Sequence, residues 1–239
     1  MDTLLIILAF GIFLGFYVQT VIGFAGALIS LPILLTGMSL PDSIAYISIF
    51  YFIASPFLIY KEWKHVDKKI ILKLTLSSLI GVVIGIIILV FGKPVILKKA
   101  LGIFILCYVL YSLWNTKKFN LLSKMEHLFG FLGGFFSGVF STGGPLYVII
   151  VKDVTPDIRT FRATMFGVLG LVTFIRMPVL AIGGVLNLDQ LYNSLYVLPF
   201  FILALFLGKK TYHLLNETIL KKAVLGLLFI SGLVLLVKA

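Results

Sequence analysis

The chain has 239 residues, of which 61% are hydrophobic and 12% charged, and its mean hydropathy is +1.16. Soluble domains have roughly 45–50% apolar and about 25% charged residues, so the composition excludes a soluble domain and predicts an all-α polytopic protein of the cell membrane. The net charge of +11 does not indicate a nucleic-acid partner, because loop lysines orient a membrane protein and contact the lipid bilayer. No cofactor or metal site is predicted, and Cys107, the single cysteine, lies in an apolar run, which leaves no disulfide framework or cysteine-based metal site within one chain.

Eight apolar segments follow one another along the chain. The first runs from Leu4 to about Leu35 and is interrupted by polar and glycine residues between Gln19 and Gly26. It is longer, and less charged at its start, than a cleaved signal peptide, which favours a permanent membrane segment. The other seven cover residues 44–60, 70–91, 95–114, 127–151, 163–182, 191–207 and 219–237.

The fifth segment contains a glycine-rich stretch from Gly133 to Pro145, with five glycines in thirteen residues. Each glycine weakens a helix by roughly 1 kcal/mol relative to alanine, whereas Pro145 suits the first turn of a new one. We predict that a helix breaks here and restarts at Pro145, which is tolerated at membrane depth only inside protein or beside a cavity. The N–H groups and positive dipole end of the new helix favour an anion. The alternative is a glycine face that packs helices together.

The two halves of the chain repeat each other. The pentapeptide of residues 96–100 recurs identically at 219–223, and Gly26-Ala27-Leu28 matches Gly144-Pro145-Leu146 at nearly the same offset. The sequence therefore predicts a first transmembrane repeat at 1–118 and a second at 119–239 within one integral membrane domain, each with one glycine-rich break.

The distribution of charge predicts how the halves face. If each glycine-rich segment enters and returns to the same side, 15 of the 20 lysines and arginines lie on one side and 4 on the other, with Arg176 inside the membrane. This satisfies the positive-inside rule, which eight single crossings would violate. Each repeat is then a re-entrant, broken helical hairpin plus three transmembrane helices. Three crossings invert one repeat relative to the other, place both termini outside, and bring the two breaks together near the midplane.

The two breaks carry a resemblance to a known family. Gly23-Phe24-Ala25-Gly26 and Ser141-Thr142-Gly143-Gly144-Pro145, together with the duplicated halves and a length near 240, resemble the TauE/SafE family of sulfite exporters in the sulfonate uptake permease superfamily. The resemblance covers essentially the whole chain. It implies a membrane transporter of small sulfur-containing anions of the sulfite, sulfonate, sulfoacetate or thiosulfate type.

The predicted anion site combines both breaks with one charge. Arg176 is the clear charge within an apolar span, and an intramembrane arginine indicates a functional site by default. The nine carboxylates lie at segment ends or in loops, so an anionic substrate would balance it; the alternative is that Arg176 snorkels to the interface. The predicted substrate-binding residues are Gln19, Thr20, Gly23, Gly26, Ser137, Ser141, Thr142, Gly143, Gly144, Pro145 and Arg176.

Other function classes are weighed against the transporter. A serine protease at Ser141 would need a base, and His65, His127 and His213 lie in loops or at span ends, so no enzyme is predicted. An anion channel, or a transporter of another small anion such as a carboxylate, remains the alternative. The sequence shows no carboxylate proton relay; a proton could travel on the substrate, and proton coupling and homo-oligomerisation stay open. Four tyrosines either line the pathway or pack as ordinary aromatics: Tyr17, Tyr46, Tyr51 and Tyr147.

Overall fold

The computed structural model describes residues 3–114, 125–155, 157–212 and 217–238. These ranges contain ten α-helices, one 3₁₀ helix and no strand, which confirms the predicted all-α class. The α-helices are α1 Thr3–Ile22, α2 Gly26–Leu34, α3 Leu40–Glu62, α4 Lys68–Phe91, α5 Pro94–Trp114, α6 Glu126–Phe140, α7 Gly144–Val154, α8 Ile158–Ile182, α9 Leu188–Thr211 and α10 Glu217–Lys238. The 3₁₀ helix is Trp63–His65.

The lengths and surfaces of these helices fit a membrane. Within the described ranges, six helices (α1, α3, α4, α5, α8 and α9) are long and apolar enough to cross one, and α10 has a shorter apolar part, Lys222–Val237. Large apolar side chains are exposed along them, for example Ile80 on α4 and Phe206 on α9. Such a surface is stable against lipid, because hydrocarbon does not penalise exposed apolar groups as water does.

Both glycine-rich segments fold back on themselves as antiparallel hairpins. In the α1–α2 hairpin, Ser30 Oγ donates to Gly11 O at 2.9 Å, and a Cβ added at Gly37 would lie 2.7 Å from Ile7 Cδ1, so the chain returns to the level where it began. In the α6–α7 hairpin, the ring of Tyr147 lies so close to Gly133 that an added Cβ would meet it at 2.4 Å.

The helices connect at two ends of one bundle. At the end where α3 stops and α6 and α8 begin, Arg159 Nε pairs with Glu62 Oε2 at 2.9 Å and Lys73 Nζ with Glu126 Oε2 at 2.7 Å. We call this the basic end, because it also holds Lys64, Lys68, Lys69, Lys152, Lys209 and Lys210. Helix α1 begins and α10 ends at the opposite end, which holds Lys93, Lys98 and Lys99. Lys117, Lys118 and Lys124 fall outside the described residues.

The glycines of α6 serve close packing, so the helix-packing alternative holds for the part of the stretch before the break. A Cβ added at Gly134 would lie 2.3 Å from Ser78 O, and one at Gly138 would lie 2.5 Å from Val82 O, both on α4. From the other side, a Cβ at Gly81 would lie 2.2 Å from Phe131 O. Only glycine permits such backbone contact between helices.

Candidate functional site

The first break separates α1 from α2. The backbone between them turns through two positive φ angles, +97° at Gly23 and +76° at Ala25. Gln19 bridges this turn, because its Nε2 donates to Gly23 O at 3.3 Å and its Oε1 accepts from the Gly26 N–H at 2.9 Å. The Gln19 amide, 2% exposed, thus satisfies backbone groups that the break leaves without helical partners.

Tyr51 joins this break to the rest of the bundle. From α3, its hydroxyl donates to Gln19 Oε1 at 3.0 Å and accepts from the Ala27 N–H at 3.2 Å. The hydroxyl of Thr20 is used within its own helix, where it donates to Phe16 O at 2.7 Å. The first break is therefore a closed hydrogen-bond network, in which Gln19, Gly23 and Gly26 meet.

The second break separates α6 from α7 where the sequence predicts it. Ser141 adopts a left-handed φ of +61° and closes α6 with two bonds: its N–H donates to Ser137 O at 2.9 Å, and the Thr142 N–H donates to Phe136 O at 3.3 Å. Glycine usually occupies this position, because a side chain there is strained. Helix α7 then starts at Gly144, capped by Gly143 and with Pro145 in its first turn.

Arg176 reaches the second break from α8. Its Nη1 donates to Ser137 O at 2.8 Å, and the residue is 2% exposed, so it does not snorkel to the interface. No carboxylate of the described residues forms an ion pair with it. A guanidinium is always charged, and a buried ion costs several kcal/mol unless paired. The C-terminal carbonyls of α6, the negative end of that helix, balance the charge only in part.

Two tyrosines lie within electrostatic range of Arg176, Tyr51 and Tyr147. Tyr51 belongs to the network of the first break. The Tyr147 hydroxyl, from α7, pairs with Ser78 Oγ at 2.8 Å. Arg176 is thus coupled to one tyrosine of α3, which is hydrogen-bonded to the first hairpin, and to one tyrosine of the second hairpin.

The tips of the hairpins touch each other. A Cβ added at Gly144 would lie 3.5 Å from Phe24 Cβ and 4.0 Å from the Ala25 N. The start of α7 therefore faces the turn of the first break at Phe24 and Ala25. The absence of a side chain at Gly144 leaves the backbone there open to close approach.

Three buried polar atoms beside the second break have no hydrogen-bond partner among the described residues. They are Ser141 Oγ, Thr142 Oγ1 and Arg176 Nε. Buried polar groups are normally bonded, and an unsatisfied one costs about 1–3 kcal/mol. Two hydroxyls and a guanidinium N–H are together the donors that bind an oxyanion. Among the described residues, no group of three His, Cys, Asp or Glu could hold a metal ion.

Sequence reasoning missed two residues next to the predicted site. Arg162 appears in the sequence to end a polar loop, yet α8 begins at Ile158 and Arg162 is only 9% exposed. Its position fourteen residues before Arg176 puts both on nearly the same helix face, a signal that was available. Ser78, the partner of Tyr147, gave no local signal, because a serine in an apolar span usually bonds its own helix.

Comparison with known proteins gives one match. The family model described as sulfite exporter TauE/SafE matches residues 7–235, which is nearly the whole chain. No curated protein and no solved structure matches it. The matched range includes most of α1 and of α10 and every described helix between them.

Proposed function

The chain belongs to the sulfite exporter TauE/SafE family, and we propose that it carries small sulfur-containing anions, such as sulfite, sulfonates or thiosulfate, across the membrane. Membership itself establishes a multi-pass membrane protein of a transporter family. The proposal adds the substrate class for this chain and a binding site between the two hairpin tips. It extends to every predicted site residue. Four of them hold the backbone of the first break in place: Gln19, Thr20, Gly23 and Gly26. The others contact the anion or leave room for it: Ser137, Ser141, Thr142, Gly143, Gly144, Pro145 and Arg176.

One observation carries the proposal: Arg176 is buried at the second break without a carboxylate partner. Its Nε has no hydrogen-bond partner among the described residues, and the same holds for the buried hydroxyls of Ser141 and Thr142, which follow the end of α6. An anion placed there would neutralise the guanidinium and satisfy all three groups at once. The N-terminus of α7, at Gly143 and Gly144, would add the positive end of a helix dipole.

We propose that the architecture is an inverted repeat with halves 1–118 and 119–239. Two features support it. In the repeat, α1 corresponds to α6, α3 to α8, α4 to α9 and α5 to α10. Exchanging the halves therefore turns the observed packing of α4 on α6 into the observed packing of α9 on α1, and leaves the pairs α3–α8 and α5–α10 unchanged. Gly23 and Ser141 stand at matching places in the repeat and both have positive φ.

The orientation follows from charge. The basic end faces the cytoplasm by the positive-inside rule, so both termini lie outside. Each hairpin then enters the membrane from a different face, and the substrate meets the protein at the interface of the repeats.

Equilibrium binding tests the proposed site. Sulfite, thiosulfate, sulfoacetate, sulfate, chloride and the carboxylate acetate are titrated into the purified protein in lipid nanodiscs, for the wild type and for Arg176→Gln. A hydrogen bond to a charged group is worth about 1.5–3 kcal/mol, so the variant should bind a sulfur oxyanion about 10- to 150-fold more weakly. Arg176→Lys keeps the positive charge but loses the planar set of guanidinium N–H donors, so its affinity for the anion should lie between those of the wild type and Arg176→Gln.

The matched control is Arg159→Gln, the same change on the same helix, at a side chain that is 56% exposed and paired with Glu62. It should bind like the wild type. Equal affinity of the wild type and Arg176→Gln for every anion would refute the site, and selective binding of a carboxylate would refute the substrate class. Saturable counterflow in vesicles supports a carrier, whereas unitary currents across a planar bilayer would establish the channel alternative.

A further inference from the structure

A second buried arginine, Arg162, lies at the first break. Its Nη2 donates to Thr20 O in the last turn of α1, and its stem packs on Gly23, where an added Cβ would lie 3.0 Å from Arg162 Cγ. Its guanidinium stacks over the ring of Tyr212 at 3.7 Å and lies 5.6 Å from the ring centroid of Phe166. These contacts fix the guanidinium between the first hairpin and the basic end.

The charge of Arg162 is not matched by an anion of the protein. No ion pair of Arg162 with a carboxylate occurs in the described part of the chain, and its Nε is buried without a hydrogen-bond partner. The carbonyl of Thr20 and the two aromatic faces stabilise the cation in part. Arg162 thus resembles Arg176: both side chains are at least nine-tenths buried, and both have an Nε N–H without a hydrogen-bond partner among the described residues.

The two arginines form a row along α8. Fourteen residues span about 21 Å, close to four full turns, so both side chains leave nearly the same face of the helix. Arg162 lies in the second turn from the basic end, and Arg176 in the last two turns before the opposite end. Each binds a carbonyl near the C-terminus of the first helix of a hairpin, Thr20 O in α1 and Ser137 O in α6.

We propose that Arg162 is a second anion-binding site, separate from the one at Arg176, that holds the transported oxyanion between the basic end and the second break. This rests on the proposed function, because it assigns the same class of substrate to both sites. The free Nε N–H binds one oxygen of the anion, and the guanidinium supplies the charge. Two weak sites in series let an anion enter one as it leaves the other, which keeps either from trapping it.

The stoichiometry of binding tests this proposal. Sulfite and thiosulfate are titrated calorimetrically into nanodisc-reconstituted wild type, Arg162→Gln, Arg176→Gln and the Arg159→Gln control. We expect two anions per chain for the wild type and the control, one for each single variant, and none for Arg162→Gln combined with Arg176→Gln. Loss of the Arg162 site with the Arg176 site intact separates this proposal from the proposed function.

A purely structural role for Arg162 makes a different prediction. If the residue only holds the end of α1, Arg162→Gln will lower the unfolding temperature and leave the number of bound anions unchanged, and that result would overturn the proposal. Arg162→Lys covers the case in which the glutamine variant does not fold. It keeps the charge and should retain two anions per chain, with the second site weakened about ten-fold; two unchanged affinities would equally overturn it.

Discussion

Ser141 offers a test of strain and binding at one position. It has a left-handed φ of +61°, and its buried hydroxyl has no partner among the described residues. Ser141→Ala removes the hydroxyl and keeps a side chain in the strained conformation. Ser141→Gly removes both the hydroxyl and the strain, because glycine adopts positive φ freely. The pair of variants therefore separates two contributions that the wild type combines.

The expected free energies follow from these two features. An unsatisfied buried hydroxyl costs about 1–3 kcal/mol, so Ser141→Ala should raise the free energy of unfolding of the anion-free protein by about that amount. A side chain in the left-handed region costs about 1 kcal/mol, so Ser141→Gly should be more stable than Ser141→Ala by about 1 kcal/mol. Both variants should bind a sulfur oxyanion about 10- to 150-fold more weakly, because one charged hydrogen bond is lost.

The assay is thermal and chemical unfolding in one detergent with and without the anion, alongside calorimetric binding. Ser194→Ala is the control, since the Ser194 hydroxyl is buried but already donates to Gln190 O at 2.8 Å; it should bind like the wild type and gain no stability. Unchanged affinity in both Ser141 variants would refute the hydroxyl as a ligand. A glycine variant no more stable than the alanine variant would refute the strain.

Two further predictions concern packing and pH. Gly134→Ala should lower the free energy of unfolding by about 2 kcal/mol or more, because the new Cβ would lie 2.3 Å from a carbonyl oxygen of α4. The control is Gly226→Ala, where nothing lies within 4 Å of the new Cβ and the change should stabilise α10 by about 1 kcal/mol. Equal effects of the two variants in unfolding experiments would contradict the close packing of α6 on α4. The pKa of Asp157 lies below its ordinary value of 3.8 because the backbone N–H and hydroxyl of Thr160 donate to the carboxylate. The stabilisation that the Asp157 carboxylate gives to the start of α8 is therefore present above pH 3.8 and lost as pH falls through the lowered pKa. Amide hydrogen exchange in that turn should accelerate on acidification in the wild type. In Asp157→Asn it should be independent of pH once intrinsic exchange rates are corrected for.

The sequence determined the class and the position of both breaks. The membrane class follows from composition, because no water-soluble fold tolerates so many apolar and so few charged residues. The second break follows from local chemistry, since glycine weakens a helix and Pro145 suits the start of a new one. Family membership was visible in the same residues, and the match over 7–235 confirms it.

The tertiary structure decided which polar groups are already bonded. In the sequence, Gln19 and Ser141 are alike, as polar residues at membrane depth. In the structure, the side-chain amide of Gln19 is already hydrogen-bonded to the backbone of the first break and to Tyr51, whereas the Ser141 hydroxyl has no partner among the described residues. Local sequence cannot separate these cases, because the partner of Gln19 lies 32 residues away on another helix.

Burial of charge was likewise decided by packing. The hydropathy pattern places Arg176 inside the membrane and Arg162 in a loop, because hydropathy averages over neighbours along the chain. In the folded protein both lie on one face of α8, which the ends of α1 and α6 cover. A charge is buried when other helices surround it, and that depends on contacts between residues far apart in sequence, such as Arg162 with Thr20, which no local pattern encodes.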